Sequence, residues 1–89
     1  MAKIANGLCD NLLTCIVRAW DSRKRLVLCP AMNTVMWNHP VTERHLNALA
    51  SFNYEIIMPV EKKLACGDVG MGAMQSVHLI ITQLLSGIN

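Results

Sequence analysis

Charge is scarce in this sequence. Aspartate, glutamate, lysine and arginine make up 16% of its 89 residues, where an ordinary soluble domain carries about 25%. Apolar residues reach 53%, so few charged side chains are left to cover so small a body. A chain of this length forms one domain at most and buries only roughly 60% of its unfolded surface. The shortage of charge therefore predicts a covered face, hidden by a larger core, by other subunits, or by both. Long apolar runs are missing too: nothing approaches the roughly 18 residues of a membrane span, so no membrane partner is expected. The opening Met1-Ala2-Lys3-Ile4-Ala5-Asn6-Gly7 lacks the apolar stretch of a secretory signal. It reads as the middle of a helix, which raises the expectation of a segment upstream.

Basic clusters are limited to Arg23-Lys24-Arg25 and Lys62-Lys63 within a net charge of +2, and neither is interleaved with aromatics. Nucleic-acid binding is not expected. The four cysteines form no CxxC pair and no zinc spacing, so no metal site is expected. Without a secretory context the thiols are read as reduced, in a cytoplasmic protein, with the nucleus also open. Cys9, Cys15 and Cys29 lie in apolar runs and read as small buried hydrophobes.

Along the chain, residues 2–6 continue a helix that Gly7 interrupts. Asp10 suits an N-cap for a helix over residues 11–20. Leu12, Leu13, Ile16, Val17 and Trp20 cover most of that helix, which predicts burial on more than one side. Residues 21–25 read as a turn, and 26–29 as a continuously apolar strand of a parallel sheet. Pro30 stops that strand, and residues 31–39 are irregular or one helical turn. Pro40 fits the first turn of a helix reaching residue 52, with Leu46, Leu49 and Ala50 inward; Asn53 suits a left-handed cap. A second strand over 54–58 ends at Pro59, residues 60–74 read as a long loop, and a helix over 75–86 lines up Val77, Ile80, Ile81, Leu84 and Leu85. Strand, long crossover and strand imply parallel pairing. A two-stranded parallel sheet leaves its own edges bare. The predicted class is therefore α/β: the C-terminal part of a doubly wound, Rossmann- or flavodoxin-like parallel sheet in three α/β/α layers, with residues 1–89 as one partial domain.

Ligands of open α/β sheets sit beyond the carboxyl ends of the strands. Pro30-Ala31-Met32-Asn33 occupies that position after the first strand, and the stretch from Lys62 to Met74 after the second. Asn33 carries an amide able to donate and accept; spacing alone leaves it either a ligand for a carboxylate or flavin edge, or a cap for the following turn. Cys66 lies among Gly67, Gly70 and Gly72 with Lys62 and Lys63 nearby. It is either a tuned thiol on a mobile flap or an incidental cysteine on a surface loop.

Three runs of sequence narrow these choices. Gly7-Leu8-Cys9-Asp10-Asn11-Leu12-Leu13-Thr14, then Pro30-Ala31-Met32-Asn33 with Met36-Trp37, then Ala65-Cys66-Gly67-Asp68 closed by Gly72-Ala73-Met74, resemble successive signatures of the homo-oligomeric flavin-containing cysteine decarboxylases. The last run is similar to the phosphopantothenoylcysteine decarboxylases in particular, and residues 9–20 look most like the plant, halotolerance-type members. The resemblance spans essentially the whole chain in order.

It implies FMN as cofactor, phosphopantothenoylcysteine as small-molecule substrate and phosphopantetheine as product, in coenzyme A synthesis. The substrate thiol would be oxidised to a thioaldehyde that serves as electron sink for loss of carbon dioxide. Reduction and protonation of the resulting enethiolate would follow. By motif match Cys66 donates that proton and Asn33 holds the substrate carboxylate. Ala31 lies against the flavin, and Lys63, Ala65 and Met74 touch substrate, Lys63 standing where an arginine is often found. Cys66 and Asn33 are thus expected to face each other across one crevice. Gln75-Ser76 stands where the family usually has Ala-Glu, a mild change at a helix start. The resemblance also implies a homotrimer with sites between subunits, and it places the flavin phosphate loop and a histidine base upstream of Met1. His39, His45 and His78 match no such motif, so the isolated chain is expected to bind flavin poorly and to lack activity. The alternative is a non-catalytic member that serves as oligomer partner or phosphatase-regulatory subunit, although no acidic tail of the regulatory kind is present.

Overall fold

The computed structural model describes residues 1–63 and 69–86. In chain order these form α1 (Ala2–Ala5), α2 (Leu12–Arg18), β1 (Val27–Leu28), α3 (Thr34–Trp37), α4 (Pro40–Ser51), β2 (Glu55–Ile56), β3 (Val60–Lys63), β4 (Val69–Ala73) and α5 (Val77–Ser86). β1 and β2 pair in parallel, Val27 opposite Glu55 and Leu28 opposite Ile56. The expected α/β class with parallel pairing holds. Pro30 and Pro59, both buried, follow these strands closely; neither has an N–H to continue a ladder.

α4 packs along β2 and α1 packs along α4. Besides the two prolines, Leu49, 1% exposed, and Ile57, 4% exposed, are the buried apolar side chains among the described residues. Thr42, His45, Leu46 and Leu49 share the inner stripe at helical spacing. Ala50, expected inward, is exposed, because one further residue rotates it about 100° off that stripe. Phe52 caps α4, and Asn53 takes a left-handed φ of 65°, as its residue type foretold.

Two expectations about helix α2 are corrected. Its N-cap is Asn11, not Asp10. Asn11 Oδ1 accepts from Thr14 N at 2.8 Å, and Thr14 Oγ1 accepts in return from Asn11 N at 3.1 Å. This reciprocal box satisfies two N–H groups where Asp10 would satisfy one; Asp10 instead pairs with Lys3 at 2.8 Å. Nor is α2 buried on several sides within this chain, since Leu12 and Leu13 are 78% and 68% exposed. The cysteines expected in the core fare similarly: Cys9 and Cys15 are exposed and Cys29 is half-buried.

The expected long loop over residues 60–74 is corrected at Val60–Lys63 and Val69–Ala73, which are strands, while residues 64–68 of that expectation lie outside the described residues. β3 and β4 form an antiparallel ladder from Val60 opposite Ala73 to Lys63 opposite Val69. A strand reading Val-Gly-Met-Gly-Ala has little β propensity and no clear alternation, so backbone pairing defines it. The register shifts between Val60 and Glu61, which leaves Gly72 as the unpaired residue of a bulge. Residues 21–25 do turn, with Lys24 N donating to Asp21 O. Arg25 leaves that turn: it bonds Glu55 of β2 at 2.5 Å and donates to the carbonyls of Gln83 and Leu84 in α5.

Candidate active site

The carboxyl end of β1 opens into a cleft. Cys29, Pro30, Ala31 and Met32 line one wall, and Met36, His39 and Met74 lie around it, enclosing about 720 Å³. That volume falls within the range of about 300–1,000 Å³ usual for small-molecule sites. Ala31 is exposed there, so only a methyl group stands between the backbone and whatever enters. Ala31 and Met74, far apart in the sequence, both border this cleft.

Asn33 follows directly, and of the two roles that spacing left open the cap is observed. Its Oδ1 accepts from Met36 N at 2.9 Å and caps α3. An amide whose oxygen is committed offers its nitrogen as donor, and among the described residues that nitrogen has no hydrogen-bond partner. The cap also dictates which way round the amide sits. The capping role is thus shown, and it leaves the nitrogen, not the oxygen, for the expected ligand role. Below, Thr42 is 5% exposed and its hydroxyl donates to Met36 O at 2.9 Å, which ties α3 to α4.

The hairpin sits against the same turn. Met32 N donates to Gly72 O at 2.9 Å, and Thr34 Oγ1 donates to Met71 O at 2.9 Å. Gly72 has a φ of +125°, and a Cβ built on it would overlap Met32 O; one built on Gly70 would overlap Thr34 Oγ1. Only glycine permits this approach and, at residue 72, this backbone angle. Lys63 ends β3 opposite Val69. Ala65 and Cys66, expected as substrate contact and proton donor, lie outside the described residues, so their approach to Asn33 stays an expectation.

Two contributors escaped sequence reasoning. Thr34 has no signal beyond following Asn33. His39 precedes a proline, which pushes it toward extended backbone; its Nδ1 accepts from Val41 N at 3.0 Å, capping α4, while the ring borders the cleft. Accepting at Nδ1 puts the proton of a neutral ring on Nε2. His45 is half-buried, and its Nε2 lies 3.3 Å from Asn6 Nδ2. Cys15 donates its S–H to Cys9 O at 3.4 Å, and desolvation first, then the neighbouring Cys9, push its thiol above the usual range. A raised thiol is a poor nucleophile. No group of three or more metal-binding side chains exists among the described residues, and none of the described helices is long and apolar enough to cross a membrane.

Three comparisons bear on this arrangement. The sequence profile of the flavoprotein family matches residues 1–89. The chain is 64% identical over 80 residues to a probable phosphopantothenoylcysteine decarboxylase of Arabidopsis thaliana, covering 90% of this chain and 40% of that one. A PPC decarboxylase mutant solved in complex with pantothenoylaminoethenethiol superposes with a TM-score of 0.91 at 55% identity, over 96% of this chain and 47% of the other. The FMN-binding protein AtHal3 gives a TM-score of 0.84 at 56% identity, over 96% and 46%. The chain thus spans about two fifths of the length of the curated phosphopantothenoylcysteine decarboxylases it matches.

Proposed function

The chain belongs to the flavoprotein family, and from that membership we propose that residues 1–89 form one part of an FMN-dependent phosphopantothenoylcysteine decarboxylase that yields phosphopantetheine for coenzyme A. The observation that carries this reading is the turn after β1: Asn33, exposed and with its oxygen held by α3, lies in sequence between Met32 and the residues Val35 and Met36, which line an apolar cleft of about 720 Å³. A carboxylate needs a donor there, and the free nitrogen supplies one.

The cleft also suits a flavin. Its walls of Cys29, Pro30, Met32 and Met36 are apolar, and the small Ala31 lets a flat ring approach the backbone. FMN bound there would supply two-electron redox chemistry at the carbon bearing the substrate thiol. This chain's residues bind, orient and protonate. Asn33 holds the carboxylate so that the bond to be broken is fixed in place. Ala31 and Met74 exclude water from the reacting carbons, Lys63 and Ala65 contact substrate, and the Cys66 thiol gives the proton that completes the product.

The working unit in this reading is a homotrimer of the cytoplasm or nucleus, and the exposed apolar side chains of α2 and α5 support subunit or domain contacts. Those same faces favour a second reading, a non-catalytic chain that joins an oligomer of longer relatives.

The test is a chimera in which residues 1–89 replace the matching segment of the Arabidopsis relative. FMN binding with release of carbon dioxide from phosphopantothenoylcysteine is expected. Cys66→Ser in that chimera should still release carbon dioxide but stop at the enethiol. A chimera that binds FMN and releases no carbon dioxide overturns the reading, and full turnover by Cys66→Ser removes the thiol from it.

A further inference from the structure

Asn33 is bracketed. The residue before it and the residue after it both hold β4: Met32 through its N–H to Gly72 O, and Thr34 through its hydroxyl to Met71 O, each at 2.9 Å. The two glycines that pack on this turn, Gly70 and Gly72, leave no room for a Cβ against Thr34 Oγ1 and Met32 O respectively. Of the two hydrogen bonds, only that of Thr34 uses a side chain, and neither capping α3 nor filling the core requires it. Any residue can fill the first position of a short helix, and α3 takes its cap from Asn33.

We infer that Thr34 is a positioning residue: its hydroxyl ties β4 to the Asn33 turn and thereby sets where Met74 and the β3–β4 hairpin stand relative to the Asn33 carboxamide and Ala31. The inference rests on the decarboxylase reading for its consequence, but the tether is a property of this chain alone. Met74 immediately follows β4 and borders the cleft with Ala31, so a shift of β4 moves one wall of the site against the other. A misplacement of about 1 Å in such a site can cost on the order of a hundredfold in rate.

Thr34→Val keeps size and branching but deletes the donor, and Thr34→Ser keeps the donor. Amide hydrogen exchange on the 89-residue chain reads the tether without any cofactor. In Thr34→Val the amides of Met32 and of β4 should exchange about fivefold to tenfold faster, the loss of one hydrogen bond. Thr34→Ser should restore protection, and the Leu49 amide in α4 should stay put in both. Unchanged exchange in Thr34→Val, no β4 protection in the parent chain, or equal loosening of α4 overturns the tether. In the chimera, turnover should fall by a similar factor in Thr34→Val and recover in Thr34→Ser; equal turnover in both overturns the positioning role. Loosened β4 amides in a chimera that never decarboxylates sink the functional reading and leave the tether standing. An active chimera with unmoved amides sinks the tether alone.

Discussion

At the scale of single residues, Asn33 joins an observed duty, capping, to a proposed one, holding a carboxylate, and mutation can separate them. Its oxygen caps α3 by accepting from Met36 N, a bond whose loss typically costs about 1 kcal/mol. Its nitrogen is the donor proposed for the substrate carboxylate. Aspartate is as good a cap as asparagine but offers a second negative charge in place of a donor. Asn33→Asp should therefore melt within a degree or two of the parent while losing affinity for a carboxylate ligand, whereas Asn33→Ala should lower both. Thermal melting and titration with substrate check the pair, and an Asn33→Asp protein that binds substrate normally removes the ligand role. This double duty was half legible in the sequence: the residue type announces both uses, and only the position of α3 shows which atom serves which.

At the scale of elements, Arg25 decides how α5 attaches. The last carbonyls of a helix lack intrahelical partners, and Arg25 donates to those of Gln83 and Leu84 while pairing with Glu55. A positive charge also suits this end of the helix dipole. Lysine cannot span the carboxylate and two carbonyls at once, so Arg25→Lys should speed amide exchange through α5 severalfold; unchanged α5 amides would contradict this. The pH dependence has a definite sign. Hydrogen bonding to Arg25 holds the Glu55 carboxyl below its ordinary value of 4.5. A depressed carboxyl contributes stability above that value and loses it as pH falls through the lower folded one. The melting-temperature difference between the parent chain and Glu55→Gln, present at neutral pH, should narrow as pH falls below 4.5 and close once it has passed the lowered folded value. A difference that persists in acid means the pair is not its source. The sequence marked Arg25 only as part of a solvated basic turn, because its partners lie on strand β2 and helix α5.

At the scale of the whole molecule, the deficit of charge becomes a measurable excess of surface. The chain exposes 6474 Å², where a compact monomer of 9.9 kDa is expected to expose about 5,200 Å². Leu8, Leu12, Leu13 and Ile16 near or on α2, and Val77, Ile81 and Leu85 on α5, supply much of it. At micromolar concentration the 89-residue chain should self-associate and bind an apolar dye, as sedimentation and dye fluorescence would report; a monodisperse, dye-free monomer would contradict this. Composition alone foretold the uncovered face, since counting side chains needs no coordinates. Legible in the sequence too were the helix that Pro40 opens, the strands that prolines end, the parallel pairing that a helical crossover demands, and the choice of Ala31 and Met74, which both border the cleft. Tertiary structure alone decided the β3–β4 hairpin, the Thr34 tether, the commitment of the Asn33 oxygen and the reach of Arg25. The division is physical: periodicity, capping and chain stiffness act within a few residues, whereas a glycine-rich ladder and bonds between distant segments exist only once the backbone has brought them together.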